Sequence, residues 1–244
     1  RDYYASRGLG DVYKRQLYAV PGIVESWALC SEDVDWISRY GHNNYQEFKD
    51  WYWNGLSKQF NPTEFEPAQW AEVTKQAGMK YMIFTTKHHD GFAVYNSVCS
   101  DYNIVKCTPF AKDPLKELAE ACKKEGIKLG LYYSLGRDWE DPDVPTNWPV
   151  KAGRSNTWDY PDEDSKQLPA YIERKVKPQL KELLTNYGEI AVIWFDTPEL
   201  VTRQQSKELR ELIHSLQPGC LINSRIGNGL GAVSYTHLRS PRDA

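Results

Sequence analysis

The chain has 244 residues, enough to bury a sizeable core in one large domain or two small ones. Its 30 Lys plus Arg against 33 Asp plus Glu leave a formal net charge of -3, which excludes a basic field for nucleic acid and a polybasic membrane patch. No run of 18 apolar residues offers a membrane span, and five scattered cysteines (Cys30, Cys99, Cys107, Cys122 and Cys220) suit neither a disulfide framework nor a zinc site.

The first elements in chain order are exceptions. Residues 1–16 show neither helical nor strand period, and the last residues, 233–244, read the same way. Both read as tails foreign to the domain, of the kind that translated read-through leaves at the edges of fragmentary assemblies. The body between them, residues 17–232, repeats one grammar of helix, glycine and short apolar strand.

The first copy is a helix over 67–78 and a strand over 79–85, running into Lys87-His88-His89-Asp90. The clearest copy follows, with Asp113 as N-cap and Pro114 at the first helical position. Leu115, Leu118, Ala119 and Cys122 make one apolar face, Gly126 ends the helix in the left-handed conformation, and 127–133 is a buried parallel strand. A long linker, 135–169, is rich in Pro, Asp and Trp; its Trp139, Trp148 and Trp158 suggest a wall for a substrate. A third copy is 172–188 with strand 189–195, and a fourth is 207–219 with strand 220–223. Alternation of this kind predicts a parallel α/β sheet, either open or closed into a barrel. No Gly-x-Gly-x-x-Gly follows a strand, which counts against a dinucleotide-binding open sheet. Every strand instead ends in polar residues, as barrel enzymes require on their catalytic rim.

Asp196 ends a strongly apolar strand beside Trp194 and Phe195, where a carboxylate is expensive to desolvate. It reads as a catalytic carboxylate or, more plainly, as a cap for the next helix. His88 and His89 are neighbours, and side chains alternate along a strand, so both reach one site only if the strand has already broken. They suit hydrogen bonds to sugar hydroxyls, since a neutral imidazole offers one donor and one acceptor. A structural role for one of them, or a metal site with Asp90, is the alternative.

Four segments, Lys87-His88-His89-Asp90-Gly91-Phe92, Gly130-Leu131-Tyr132-Tyr133-Ser134, Trp194-Phe195-Asp196 and Asn223-Ser224-Arg225, occur in this order and at separations that resemble the α-L-fucosidases of glycoside hydrolase family 29. The resemblance implies a TIM-like (β/α)8 barrel, incomplete in this chain, and retaining hydrolysis of α-L-fucosyl linkages in oligosaccharides or glycoconjugates. It implies no cofactor and no metal, and a periplasmic or extracellular setting. Asp196 matches the nucleophile; His88, His89, Tyr132, Trp194 and Arg225 match positions that hold the fucose ring, as do Glu25 and Trp27 on an early loop. A family strand ending in His-Trp-Gly should precede residue 17, and its place is taken by the N-terminal tail. The family's acid/base glutamate lies beyond Arg225, so the resemblance places the acid outside this chain and gives no such role to Glu199. A non-catalytic sugar-binding fragment and a metal-dependent hydrolase are the competing functions. Oligomeric state is not legible.

Overall fold

A computed structural model describes residues 10–13, 16–23, 26–29, 34–146, 160 and 162–231. Its centre is one parallel sheet of five strands: β1 (Gly10–Tyr13), β2 (Tyr81–Lys87), β3 (Lys128–Ser134), β4 (Val192–Asp196) and β5 (Leu221–Ile222). Their order in space is their order in sequence, and every pairing is parallel. The winding therefore never reverses within the described residues. A doubly wound open sheet reverses at its switch point.

The helices are α1 (Val34–Arg39), α2 (Tyr45–Asp50), α3 (Leu56–Gln59), α4 (Pro67–Gln76), α5 (Ile104–Cys107), α6 (Pro114–Glu125), α7 (Leu168–Tyr171), α8 (Lys177–Asn186) and α9 (Arg203–Leu216). Single π-helical turns, Trp51–Gly55 and Ile172–Val176, join α2 to α3 and α7 to α8. Along the sheet, α4 packs on α6 and α8 on α9. β2 and β3 are buried on both faces from their second residue onward; their middles are apolar without alternation, and the buried polar residues Thr85, Thr86, Lys87 and Ser134 gather at their C-terminal ends.

Local chemistry accounts for the best-read element. Asp113 caps α6 by accepting from the amides of Leu115 and Lys116, Leu115, Leu118 and Cys122 are buried, and Gly126 adopts φ 71° at the C-cap. Other bounds move. The strand expected at 189–195 begins only at Val192 and takes in Asp196, and the helix expected from 207 begins at Arg203. Thr202 and Gln205 explain that earlier start, because they form a reciprocal capping box.

A strand also forms at Gly10–Tyr13, where the pattern of residues 1–16 shows none, and Gln16 is buried with its amide donating to the Thr85 carbonyl. Parallel pairing with β2 runs through the backbone, so an edge strand needs no particular side-chain alternation. Residues 233–244, Trp148 and Trp158 lie outside the described residues.

Candidate active site

Parallel strands bring their C-terminal ends to one rim, and that rim collects His88 and His89 after β2, Ser134 at the end of β3, Asp196 at the end of β4, and Arg225 after β5. In the register Tyr132 pairs with Trp194 and Ser134 with Asp196. Because side chains two apart share a face, these four residues line the same side of the sheet.

The Asp196 carboxylate is surrounded by donors. Tyr132 donates its hydroxyl to Oδ2 at 2.7 Å, the Thr197 amide donates to Oδ1 at 2.9 Å, and Arg225 forms an ion pair with Oδ1 through Nη1. His89 Nε2 stands 4.0 Å from Oδ2. Thr197 takes φ 54°, a left-handed conformation that β-branched residues avoid, and its hydroxyl bonds back to the Asp196 carbonyl at 2.8 Å. The chain is thus bent sharply behind the carboxylate. Capping is not its role, since the N-cap of α9 is Thr202, six residues on. Asn223 closes the end of β4 from the next strand, accepting from the Phe195 amide at 2.9 Å and donating to the Phe195 carbonyl at 3.0 Å.

β2 ends at Lys87, so the two imidazoles are released from strand alternation and lie side by side, with ring centroids 4.2 Å apart. His88 stacks on Tyr132 at 5.6 Å and 19°, and its Nδ1 is 2.6 Å from the Ser26 hydroxyl. His89 sets its Nδ1 2.7 Å from Ser134 Oγ and meets Trp27 edge-on at 5.0 Å. Trp27 meets Trp139 at 5.3 Å, and the Arg137 guanidinium lies 4.8 Å above the Trp27 ring. Trp139 is fully buried, a packed wall behind the histidines.

Among the sequence candidates, Asp196, Tyr132, His88, His89, Arg225 and Trp27 are joined by these contacts, and Trp194 shares their face half-buried. Glu25 lies outside the described residues, and Glu199 is exposed on the turn after β4. Ser26, Ser134, Thr197 and Asn223 received no role in the sequence reading. Ser134 and Asn223 carried a signal as members of the four segments, and Thr197 as the polar residue that follows Asp196 at a strand end. Among the described residues no three His, Cys, Asp or Glu side chains group as metal ligands. Asp90 is occupied elsewhere, accepting from the Tyr52 hydroxyl at 2.8 Å and the Phe92 amide at 3.2 Å.

Comparison with known proteins agrees with this geometry. Alpha-L-fucosidase 1 of Arabidopsis thaliana is 32% identical over 212 residues, which are 81% of this chain and 37% of that protein. The chain therefore spans well under half the length of that relative. Among solved structures, the α-L-fucosidase AlfC from Lactobacillus casei in complex with α-L-fucose product matches 91% of this chain and 70% of its own at 38% identity, with a TM-score of 0.78. An α-L-fucosidase from Vibrio sp. strain EJY3 matches 94% of this chain and 38% of its own at 31% identity, with a TM-score of 0.71. The sequence profile described as Alpha-L-fucosidase matches residues 13–240, and the chain belongs to the α-L-fucosidase family.

Proposed function

We propose that this chain carries the nucleophile half of a retaining α-L-fucosidase site, with Asp196 attacking the anomeric carbon of an α-L-fucosyl group to form a covalent ester. The observation that carries the reading is a strand-end carboxylate held by Tyr132, Thr197 and Arg225 beside paired imidazoles. Glycoside hydrolysis passes through an oxocarbenium-like transition state, which a positioned carboxylate meets with charge or traps covalently. His88, His89, Trp194, Arg225 and Trp27 would hold the sugar hydroxyls and ring, a role that the resemblance also gives to Glu25. The substrate class is a fucosylated oligosaccharide or glycoconjugate.

The sequential order of five parallel strands supports their being consecutive strands of a (β/α)8 barrel, with residues 17–232 as part of the catalytic domain. A retaining pair needs a second carboxyl group about 5–5.5 Å from the first. We assign it to a glutamate outside this chain rather than to the exposed Glu199.

The test uses the full-length protein and an aryl α-L-fucoside, with the anomeric configuration of the released sugar followed by proton NMR. Retention is expected, and Asp196→Ala should lower turnover by at least about a thousandfold while leaving the folded spectrum intact. Near-normal turnover in that variant would remove Asp196 from the chemistry.

A further inference from the structure

Among the described residues His89 is the histidine that comes within 4.0 Å of the Asp196 carboxylate, and which of its nitrogens carries the proton decides what it can do there. The Ser134 hydroxyl has one hydrogen. It donates to the Arg137 carbonyl at 2.7 Å. At His89 Nδ1, 2.7 Å away, the same oxygen is then left to accept, so Nδ1 must be the protonated nitrogen. Nε2, which stands 4.0 Å from Asp196 Oδ2, carries a lone pair whenever the ring is neutral.

We propose that Ser134 is a positioning residue that holds neutral His89 in the Nδ1–H tautomer, so that Nε2 accepts a hydrogen bond from a sugar hydroxyl beside Asp196. The inference rests on the fucosidase reading for its substrate, but the tautomer itself does not.

The consequence for the chemistry is specific. A proton on Nε2 would be drawn to the Asp196 carboxylate and would compete with the anomeric carbon for its lone pair. Ser134 works against that pull. With Nδ1 protonated, Oδ2 keeps the Tyr132 hydroxyl as its donor, and His89 Nε2 offers an acceptor rather than a competing proton.

The relay is built into the fold. Leu135 donates its amide to the Asp196 carbonyl at 3.0 Å, and Ser134 is the register partner of Asp196, so backbone pairing ties the two residues together. Gly136, in the turn between Ser134 and Arg137, presses on the backbone after Asp196. A Cβ there would meet the Thr197 carbonyl oxygen at 2.1 Å. Beyond the turn, the Trp139 amide donates to the His89 carbonyl at 2.8 Å, and Asp138 is ion-paired to Lys87 at 2.8 Å, so the loop is tied to the segment that carries His89.

The experiment is nitrogen NMR of the full-length protein labelled at histidine, with His89 assigned by its loss in His89→Gln, combined with kinetics of Ser134→Ala. Where the ring is neutral, His89 Nδ1 should show the shift of a protonated ring nitrogen and Nε2 that of an unprotonated one. Ser134→Ala should move the proton toward Nε2 and lower kcat/KM about tenfold. An Nε2–H tautomer in the unaltered protein overturns the proposal without using any variant. So does a Ser134→Ala protein that keeps the Nδ1–H signature. If instead Asp196→Ala retains activity, the fucosidase reading falls while the tautomer result stands by itself.

Discussion

Lys87 and His88 are adjacent in sequence, yet they belong to two polar clusters of opposite character. Lys87 belongs to a closed one: its ammonium reaches Asp138 Oδ2 at 2.8 Å and the Tyr171 hydroxyl at 2.5 Å, and lies 4.3 Å from the centre of the Tyr133 ring. Lys175 reaches the same Asp138 oxygen at 2.9 Å and Glu140 at 2.5 Å. The Lys87 and Asp138 side chains are 0% exposed. His88 belongs to the open cluster, where the Asp196 side chain is 19% and that of Arg225 41% exposed. The closed cluster meets its charges with protein groups and shapes the rim; the open one keeps its charges within reach of a ligand.

The two clusters also hold their protons differently. Burial lowers the Lys87 ammonium below its ordinary range despite Asp138 beside it. Burial would raise Asp138, but Lys175 and Lys87 outweigh it and hold the carboxyl below the usual range. Lys175 is raised, since Asp138 and Glu140 more than offset its desolvation. These directions describe an interior charge group that stays paired.

The sharpest way to break the comparison is to remove Asp138. Asp138→Ala leaves two buried ammonium groups without their shared carboxylate, and should cost roughly 3–5 kcal/mol of stability in urea unfolding. Asp196→Ala should leave stability nearly unchanged and abolish turnover. Equal losses of stability in the two variants would erase the distinction between scaffold and site.

Asp90 tests the boundary between the clusters by pH. Burial pushes its carboxyl up to about 7 from an ordinary value of 3.8, against the bonds from Tyr52 and Phe92. The folded state therefore holds this proton more tightly than the unfolded chain, and stability from Asp90 is full below about pH 4 and declines as pH rises toward about 7. The span is about 4 kcal/mol. Asp90→Asn keeps an acceptor for Tyr52 and should remove that decline, so its melting temperature should gain on the unaltered protein as pH rises. A constant difference between the two across the range would show that Asp90 does not titrate there.

The smallest effect belongs to His88, which holds one substrate hydroxyl in the proposed reading. His88→Ala should weaken transition-state stabilisation by roughly 1–3 kcal/mol, read as kcat/KM on an aryl fucoside, with little change in melting temperature. An unchanged kcat/KM would assign His88 to the stacking under Tyr132 alone.

What the sequence determined by itself is what short-range chemistry controls. Asp113, Pro114 and Gly126 delimit α6 because capping and the left-handed turn depend on neighbouring residues only. Apolar runs leading into Lys87-His88-His89, Ser134 and Asp196 place those residues at strand ends, and Arg225 in the turn after β5, because a strand packed in a parallel sheet leaves its polar groups mainly to its terminus. Tertiary structure alone decided which of them meet. The bonds from Tyr132 and Arg225 to Asp196 join residues 64 and 29 positions apart, across register that no local pattern encodes. It also decided that Gly10–Tyr13 pairs with β2, which runs through backbone groups common to every residue. Above all it decided the roles of Ser134 and Lys87, a hydroxyl and an ammonium unremarkable in the sequence. Their chemistry comes from the Arg137 carbonyl and the Asp138 carboxylate that the loop after β3 folds back to present.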